Sequence, residues 1–266
     1  MSKLYIVATP IGNLSDITLR ALETLKSVDI IACEDTRHTL TLLNHYGIKK
    51  PLVSYYKHKE REGSIAIAEA VESGKDVALV SDAGMPIISD PGSTLIAEFR
   101  KRNLSYTVIP GANAAVSAAA LAGIDGPFTF LGFLPEKRKD REIIISKHAE
   151  TGAYLILYTA PHDLNGLLDD LIILLGDRKG YTVKEITKMF ERVSEGKLSE
   201  LKEDNPKGEY VLIICPEEKN SLTDDEIAAA LKSLLSKGVD KKNAVATVSE
   251  KYSVGKNRVY KISLNL

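Results

Sequence analysis

Ser81-Asp82-Ala83-Gly84-Met85-Pro86-Ile87-Ile88-Ser89-Asp90-Pro91-Gly92 follows directly on the apolar run Val77-Ala78-Leu79-Val80. The run reads as a buried strand, so the twelve-residue stretch begins at a strand's carboxyl end. It holds two Gly, two Pro and two Asp. Glycine permits positive φ and close backbone approach to a ligand. Proline stiffens the loop and removes donors. The carboxylates accept from hydroxyl or amine groups. In open α/β sheets, ligands sit outside the carboxyl ends of the strands. A purely structural turn is the alternative reading, and the same loop pattern recurring along the chain favours a ligand loop.

The first half alternates strand and helix signals. Strands are predicted at Leu4–Ala8, Ile30–Cys33, Leu52–Tyr55 and Tyr106–Ile109, beside the run before Ser81. Helices are predicted around Leu19, Leu22 and Leu25, around Leu40, Leu43 and Tyr46 with a stop at Gly47, over Ile65–Val71, near Leu95–Phe99, and over Ala114–Ala122. Such alternation predicts a mostly parallel sheet with helices on its faces. Further Gly/Pro loops follow two of these strands, Pro10-Ile11-Gly12-Asn13 and Pro110-Gly111-Ala112-Asn113.

A linker is expected at Gly123–Pro127, then a second α/β lobe. Its strands are predicted at Thr129–Phe133, Tyr154–Tyr158, Tyr181–Val183 and Tyr210–Ile214, with helical segments between them. The tail opens on a capping box, Thr223-Asp224-Asp225-Glu226, ahead of an apolar stripe of Ile227, Leu231, Leu234 and Leu235. Two further helices are predicted, Asn243–Tyr252 and Asn257–Leu264, joined by Ser253-Val254-Gly255-Lys256 in the manner of a helix-turn-helix. The expected divisions are therefore 1–123, 124–220 and a basic helical tail, 221–266.

The chain has 266 residues, 44% hydrophobic and 27% charged, with formal net charge −1. This is an ordinary globular composition and not that of a general polyanion binder. Residues 237–261 nevertheless carry seven Lys or Arg against Asp240 and Glu250, a local balance of +5. A second basic cluster is Lys137-Arg138-Lys139-Asp140-Arg141. Two separated basic sites suit an extended polyanion better than a small metabolite. Cys33 and Cys215 are too few for a disulfide framework, and both are expected to be buried reduced thiols. The N-terminus lacks the apolar segment of a signal peptide, and no apolar stretch approaches the roughly 20 residues of a membrane span. A cytoplasmic location is the expectation.

Neither G-x-G-x-x-G nor a P-loop is present, which disfavours the standard dinucleotide and P-loop nucleotide sites. No paired Cys/His cluster suggests a metal, and the five histidines are expected to be structural or superficial. What remains are Gly/Pro loops at strand ends, suited to a cofactor that brings its own reactive group.

Several motifs occur together in order. They are Val7-Ala8-Thr9-Pro10-Ile11-Gly12-Asn13-Leu14, Cys33-Glu34-Asp35-Thr36-Arg37, Ser81-Asp82-Ala83-Gly84-Met85-Pro86, Pro110-Gly111, Gly132-Phe133-Leu134-Pro135, Glu185-Ile186-Thr187-Lys188 and Lys207-Gly208-Glu209. Over nearly the whole chain this set resembles the tetrapyrrole methylase superfamily, and within it the group of ribosomal RNA small subunit methyltransferases. The resemblance implies two α/β lobes with S-adenosylmethionine folded in the cleft between them, and a homodimer. It implies 2′-O-methylation of a cytidine ribose in the decoding region of small-subunit rRNA, free or in the assembled subunit. Asp82, Gly84, Pro86, Ile87 and Ile88 would line the cofactor pocket, with Pro10, Ala114, Ala115, Tyr158 and Val211 at matching strand ends. Gly84-Met85-Pro86 stands where tetrapyrrole-type members usually show Gly-Asp-Pro, which argues against a porphyrinoid substrate.

A ribose hydroxyl needs its proton removed as it attacks, so a general base is expected. Asp35 is the first candidate and Glu34 the second, with Asp82 occupied by cofactor hydroxyls. Arg37 and Lys188 are candidates to clamp a phosphate or stabilise a developing alkoxide. Helix capping is the competing reading for Glu34-Asp35-Thr36-Arg37, and a surface ion pair for Glu185 and Lys188. The rival functions are a small-molecule methyltransferase and a ligand-responsive nucleic-acid-binding regulator.

Overall fold

The computed structural model describes residues 2–149, 151–217, 223–252 and 254–266. It falls into two compact units, 1–216 and 217–266.

The larger unit holds two five-stranded sheets. The first contains β1 (Leu4–Val7), β2 (Ile30–Cys33), β3 (Leu52–Ser54), β4 (Val77–Val80) and β5 (Tyr106–Ile109) in the order β3-β2-β4-β1-β5. Every pairing is parallel. Parallel strands need crossovers, supplied here by α1 (Leu19–Ser27), α2 (Thr36–His45), α3 (Glu60–Glu72) and α4 (Ser93–Lys101). The period of two along each strand divides the core. Leu4, Ile6, Val77 and Leu79 pack with Ile67, Leu95 and Phe99 on one face. Val7, Ile31, Ala78 and Val80 pack with Ala21, Leu25 and Leu43 on the other. Both faces of the central strands β1, β2 and β4 are covered, so these read as unbroken apolar runs, while the edge strands β3 and β5 are partly exposed.

α5 (Ala114–Leu121) leads into the second sheet, which is mixed. It contains β6 (Phe128–Phe133), β7 (Tyr154–Thr159), β8 (Lys179–Lys184), β9 (Arg192–Lys197) and β10 (Tyr210–Ile214) in the order β6-β7-β10-β8-β9. Only β6 and β7 run parallel. α6 (Arg138–Ala149) and α7 (Leu164–Leu175) follow β6 and β7. Tyr210, Leu212 and Ile214 of β10 pack with Ile145 and the leucines of α7. Val211 and Ile213 face the other way and pack with Ala115, Ala118, Ala119 and Ile11. The small side chains of α5 let a first-sheet helix lie close to the second sheet.

The sequence reading needs correction in places. β9 lies where helical segments were expected. Arg138 and Arg141 of the basic cluster bind Asp170, Arg138 Nε at 3.3 Å and Arg141 Nε at 3.0 Å, and Arg141 also donates to the Pro135 and Glu136 carbonyls. Cys33 is buried, but Cys215 is only partly so.

The smaller unit packs α8 (Asp224–Ser236), α9 (Lys241–Lys251) and α10 (Lys256–Ser263) around Ile227, Leu231, Val245, Val248 and Val259. The Thr223/Glu226 capping box forms as the sequence indicates. α9 starts two residues earlier than predicted because Asp240 caps it, accepting from the Asn243 N–H at 3.0 Å. Ser253 of the expected turn, and the boundary expected between 220 and 221, lie outside the described residues. No helix among the described residues is long and apolar enough to cross a membrane.

Candidate cofactor site

Because β1, β2, β4 and β5 are parallel, their carboxyl ends share one edge, and the loops after them converge there. The loop after β4 is fixed from several sides. Thr9 and Gly84 exchange backbone hydrogen bonds of 2.8 and 3.1 Å, and Thr9 Oγ1 donates to the Ser81 carbonyl at 3.1 Å. The Asp35 N–H donates to Asp82 Oδ1 at 3.2 Å, tying in the loop after β2. At the far end Glu60 accepts from the Gly92 N–H at 2.8 Å. Ile87 and Ser89 both have positive φ, 78° and 70°. Such strained non-glycine positions persist only where surrounding structure enforces them, and they gather at ligand sites.

Above this loop lies a cavity of about 400 Å³. Asp82, Gly84, Met85, Ile88 and Asp90 form one side, Asn113 and Ala114 at the start of α5 another, and Phe133, Tyr158, Val183 and Val211 of the second sheet the third. Asn113 caps α5 by accepting from the Val116 N–H at 3.1 Å. The Tyr158 hydroxyl accepts from the Ala115 N–H at 3.1 Å, joining the sheet to that helix.

Of the expected cofactor residues, Asp82, Gly84, Ile88, Ala114, Tyr158 and Val211 line the cavity. Pro10, Pro86, Ile87 and Ala115 do not line it. Ile87 packs into the first sheet's core, and Ala115 into the α5 interface. Asp90, counted by the sequence reading only among the loop's acceptors, also lines the cavity. The sequence reading also left Phe133 and Glu209 out of the cofactor residues, although both lie within motifs it quoted.

The cavity is largely apolar with an acidic corner. Burial pushes the Asp90 carboxyl up to about 6, against a hydrogen bond from Ser81, and the nearby Glu34 and Asp82 charges add to the rise. Burial, then the Asp82 charge, raises Glu34. Asp82 and Asp90 on the cavity wall, with Glu34 close behind them electrostatically, suit a ligand bearing positive charge. S-adenosylmethionine is a sulfonium and an ammonium on an apolar and hydroxylated frame, so these residues fit it, with Gly84 leaving room where a Cβ would stand 3.2 Å from Ile11 Cγ2.

Glu34, Asp35 and Arg37 do not line the cavity. Asp35 caps α2 by accepting from the Arg37 N–H at 2.8 Å and also binds the exposed Arg37 guanidinium at 2.8 Å. The Arg37 side chain, then its backbone N–H, lowers the Asp35 carboxyl to about 2. Lys188 sits in a latch between the sheets. Its Nζ meets Glu185 at 3.0 Å and Glu209, on the cavity wall, at 2.9 Å. Burial opposes its charge, but both carboxylates together hold the ammonium above its ordinary value. Glu185 and Thr187 adopt φ of 51° and 66°, and a Cβ on Gly12 would stand 2.7 Å from Lys188 Cγ. The loop after β1 is thus clasped against the loop after β8.

Residues 3–202 match the family model of the Tetrapyrrole (Corrin/Porphyrin) Methylases. The chain is 40% identical to the "Ribosomal RNA small subunit methyltransferase I" of Synechocystis sp., covering 100% of this chain and 99% of that one. It is 41% identical to the Haemophilus influenzae protein of the same name, covering 98% and 96%. A crystal structure of diphthine synthase superposes with TM-score 0.65 at 17% identity, covering 82% of this chain and 90% of that one. The methyltransferase CobJ superposes with TM-score 0.64 at 15% identity, covering 82% and 95%. With this fold, this cavity and near-full-length relatives, the chain belongs to the tetrapyrrole methylase family, in its ribosomal RNA small subunit methyltransferase I group.

Proposed function

We propose that the protein is an S-adenosylmethionine-dependent methyltransferase that methylates the 2′-oxygen of a cytidine ribose in the decoding region of small-subunit (16S) rRNA. The acidic-cornered cavity of about 400 Å³ carries the cofactor assignment. The printed names of the full-length relatives support the RNA substrate. Bound S-adenosylmethionine supplies an activated methyl group. Asp82 and Asp90 accept from its amine or hydroxyl groups, and the apolar walls exclude water. Positioning the hydroxyl at about 3–3.5 Å from the methyl carbon then supplies much of the acceleration. Glu34 is a better base than Asp35, since its carboxyl is raised toward neutral pH while Asp35 is held ionised by Arg37. Lys188 shapes the rim through Glu209. The exposed lysines of the tail, Lys241, Lys242, Lys256 and Lys261, supply phosphate contacts, and Arg258 is committed to Asp224 at 2.9 Å. A homodimer in the cytoplasm completes the reading, on free rRNA or the assembled subunit.

Mass spectrometry of rRNA from cells with and without this protein tests it. Loss of one 2′-O-methylcytidine is expected, and an identical modification map rejects the reading.

A further inference from the structure

We propose that Phe133 is a stacking platform for the pyrimidine base of the nucleotide being methylated, holding the base at the rim while its sugar enters the cavity. This rests on the reading that the cavity methylates RNA. Phe133 ends β6, an edge strand, and lines the cavity although it is 63% exposed. Its direction is built into the strand. The β6–β7 register shifts between Phe130 and Gly132, where Gly132 has φ of 63°. Such a bulge re-aims the side chain beside it. A side chain at 132 is disfavoured by that φ, and its Cβ would stand 2.5 Å from Ser89 Oγ, which would have to turn aside.

The ring is also braced. Phe133 meets Tyr158 edge-on at 5.4 Å, and Tyr158 meets Phe130 at 4.9 Å and the Ala115 N–H at 3.1 Å. A held ring with an open surface at a ligand cavity marks recognition rather than core. Every base has a π-face, and stacking on an aromatic side chain contributes about 1–3 kcal/mol. RNA readers reach a 2′-hydroxyl by splaying the nucleotide out and stacking its base. Directly after Phe133, Lys137 and Lys139 are exposed, placing positive charge where the adjoining phosphates would run.

Three proteins test this: wild type, Phe133→Ala and Phe133→Trp. Each is titrated with a short single-stranded oligoribonucleotide carrying 2-aminopurine beside a central cytidine, then with S-adenosylmethionine by calorimetry, and its mass is followed by light scattering. Phe133→Ala should weaken the oligonucleotide about 5- to 150-fold, from the stacking energy above. Phe133→Trp should restore it, with oligomeric state unchanged and cofactor affinity moved far less than oligonucleotide affinity. Equal weakening of cofactor binding assigns the ring to the cofactor's adenine and overturns the proposal. So does a change in oligomeric state, which assigns it to a second copy of the chain, or an oligonucleotide affinity that is immeasurable in wild type or unmoved by the variant. None of these readouts needs turnover. A wild-type protein that transfers no methyl to small-subunit rRNA therefore defeats the proposed function, while the titrations judge the platform separately.

Discussion

Thr9 and Gly84 bond to each other through both of their backbone amides, at 2.8 and 3.1 Å, across the carboxyl ends of β1 and β4. The two strands are neighbours in the sheet, yet the two residues are 75 positions apart in the chain, so this pair sets where the loop after β4 begins. Gly84 holds φ of 80° there, a conformation that costs other residues roughly 1–2 kcal/mol. Gly84→Val should therefore lower the thermal midpoint and weaken S-adenosylmethionine at least tenfold. Calorimetry on a variant that circular dichroism shows to be folded would decide it, and unchanged affinity would dissociate this loop from the cofactor.

Asp90 gives the site a pH dependence with a defined sign. Its folded value of about 6 lies above the ordinary carboxylate range. Its contribution to stability is thus fully present below about pH 4 and is lost as pH rises through 6. Asp90→Asn should stabilise the ligand-free protein at pH 8 by about 1–2 kcal/mol, discounted for solvent screening, and not at pH 4. The same variant should bind the cationic cofactor more weakly at pH 8. In wild type that affinity should fall as pH drops from 7 to 5. Denaturant titrations at both pH values check the first statement, and calorimetry checks the others.

The two carboxylates after β2 separate by substitution. Glu34→Gln should lower the single-turnover methylation rate by roughly 10²- to 10⁴-fold, the usual contribution of a general base. Asp35→Asn keeps a capping side chain on α2 and should cost less than about tenfold. The reverse ranking would restore Asp35 as the base.

Removing Lys188 leaves Glu185 and Glu209 facing one another without a cation. Lys188→Met should destabilise the protein by about 1–2 kcal/mol, since the group is part-buried. Gly12→Ala presses on the same latch from the other side and should act in the same direction. If both variants melt like wild type, the latch does not hold the loops.

Changing Lys256 and Lys261 to Gln should weaken rRNA binding and flatten its salt dependence. For a single strand, every phosphate that a lysine ceases to neutralise lowers the log–log slope by about 0.7. Titrations across a range of salt would reveal it, and an unaltered slope would remove these lysines from the interface.

The first sheet was legible in the sequence because its central strands β1, β2 and β4 are buried on both faces, leaving short apolar runs, and because Gly/Pro loops follow β1, β4 and β5. The capping box of α8 was legible because it is local. β9 was not. Arg192-Val193-Ser194-Glu195-Gly196-Lys197 is a charged edge strand with a single aliphatic side chain, and its identity comes from pairing with β8. Asp35 as the cap of α2 was one of the readings the sequence offered, but the burial of Glu34 was hidden. The Asp35–Arg37 contact is local, two residues apart, whereas only the tertiary structure sets Glu34 near Asp82 in partial burial. Motif order along the chain determined the family and the loops that meet at the site. Folding decided which side chains of those loops face the cavity, because burial, neighbouring charge and the direction of a side chain are properties of residues distant in sequence.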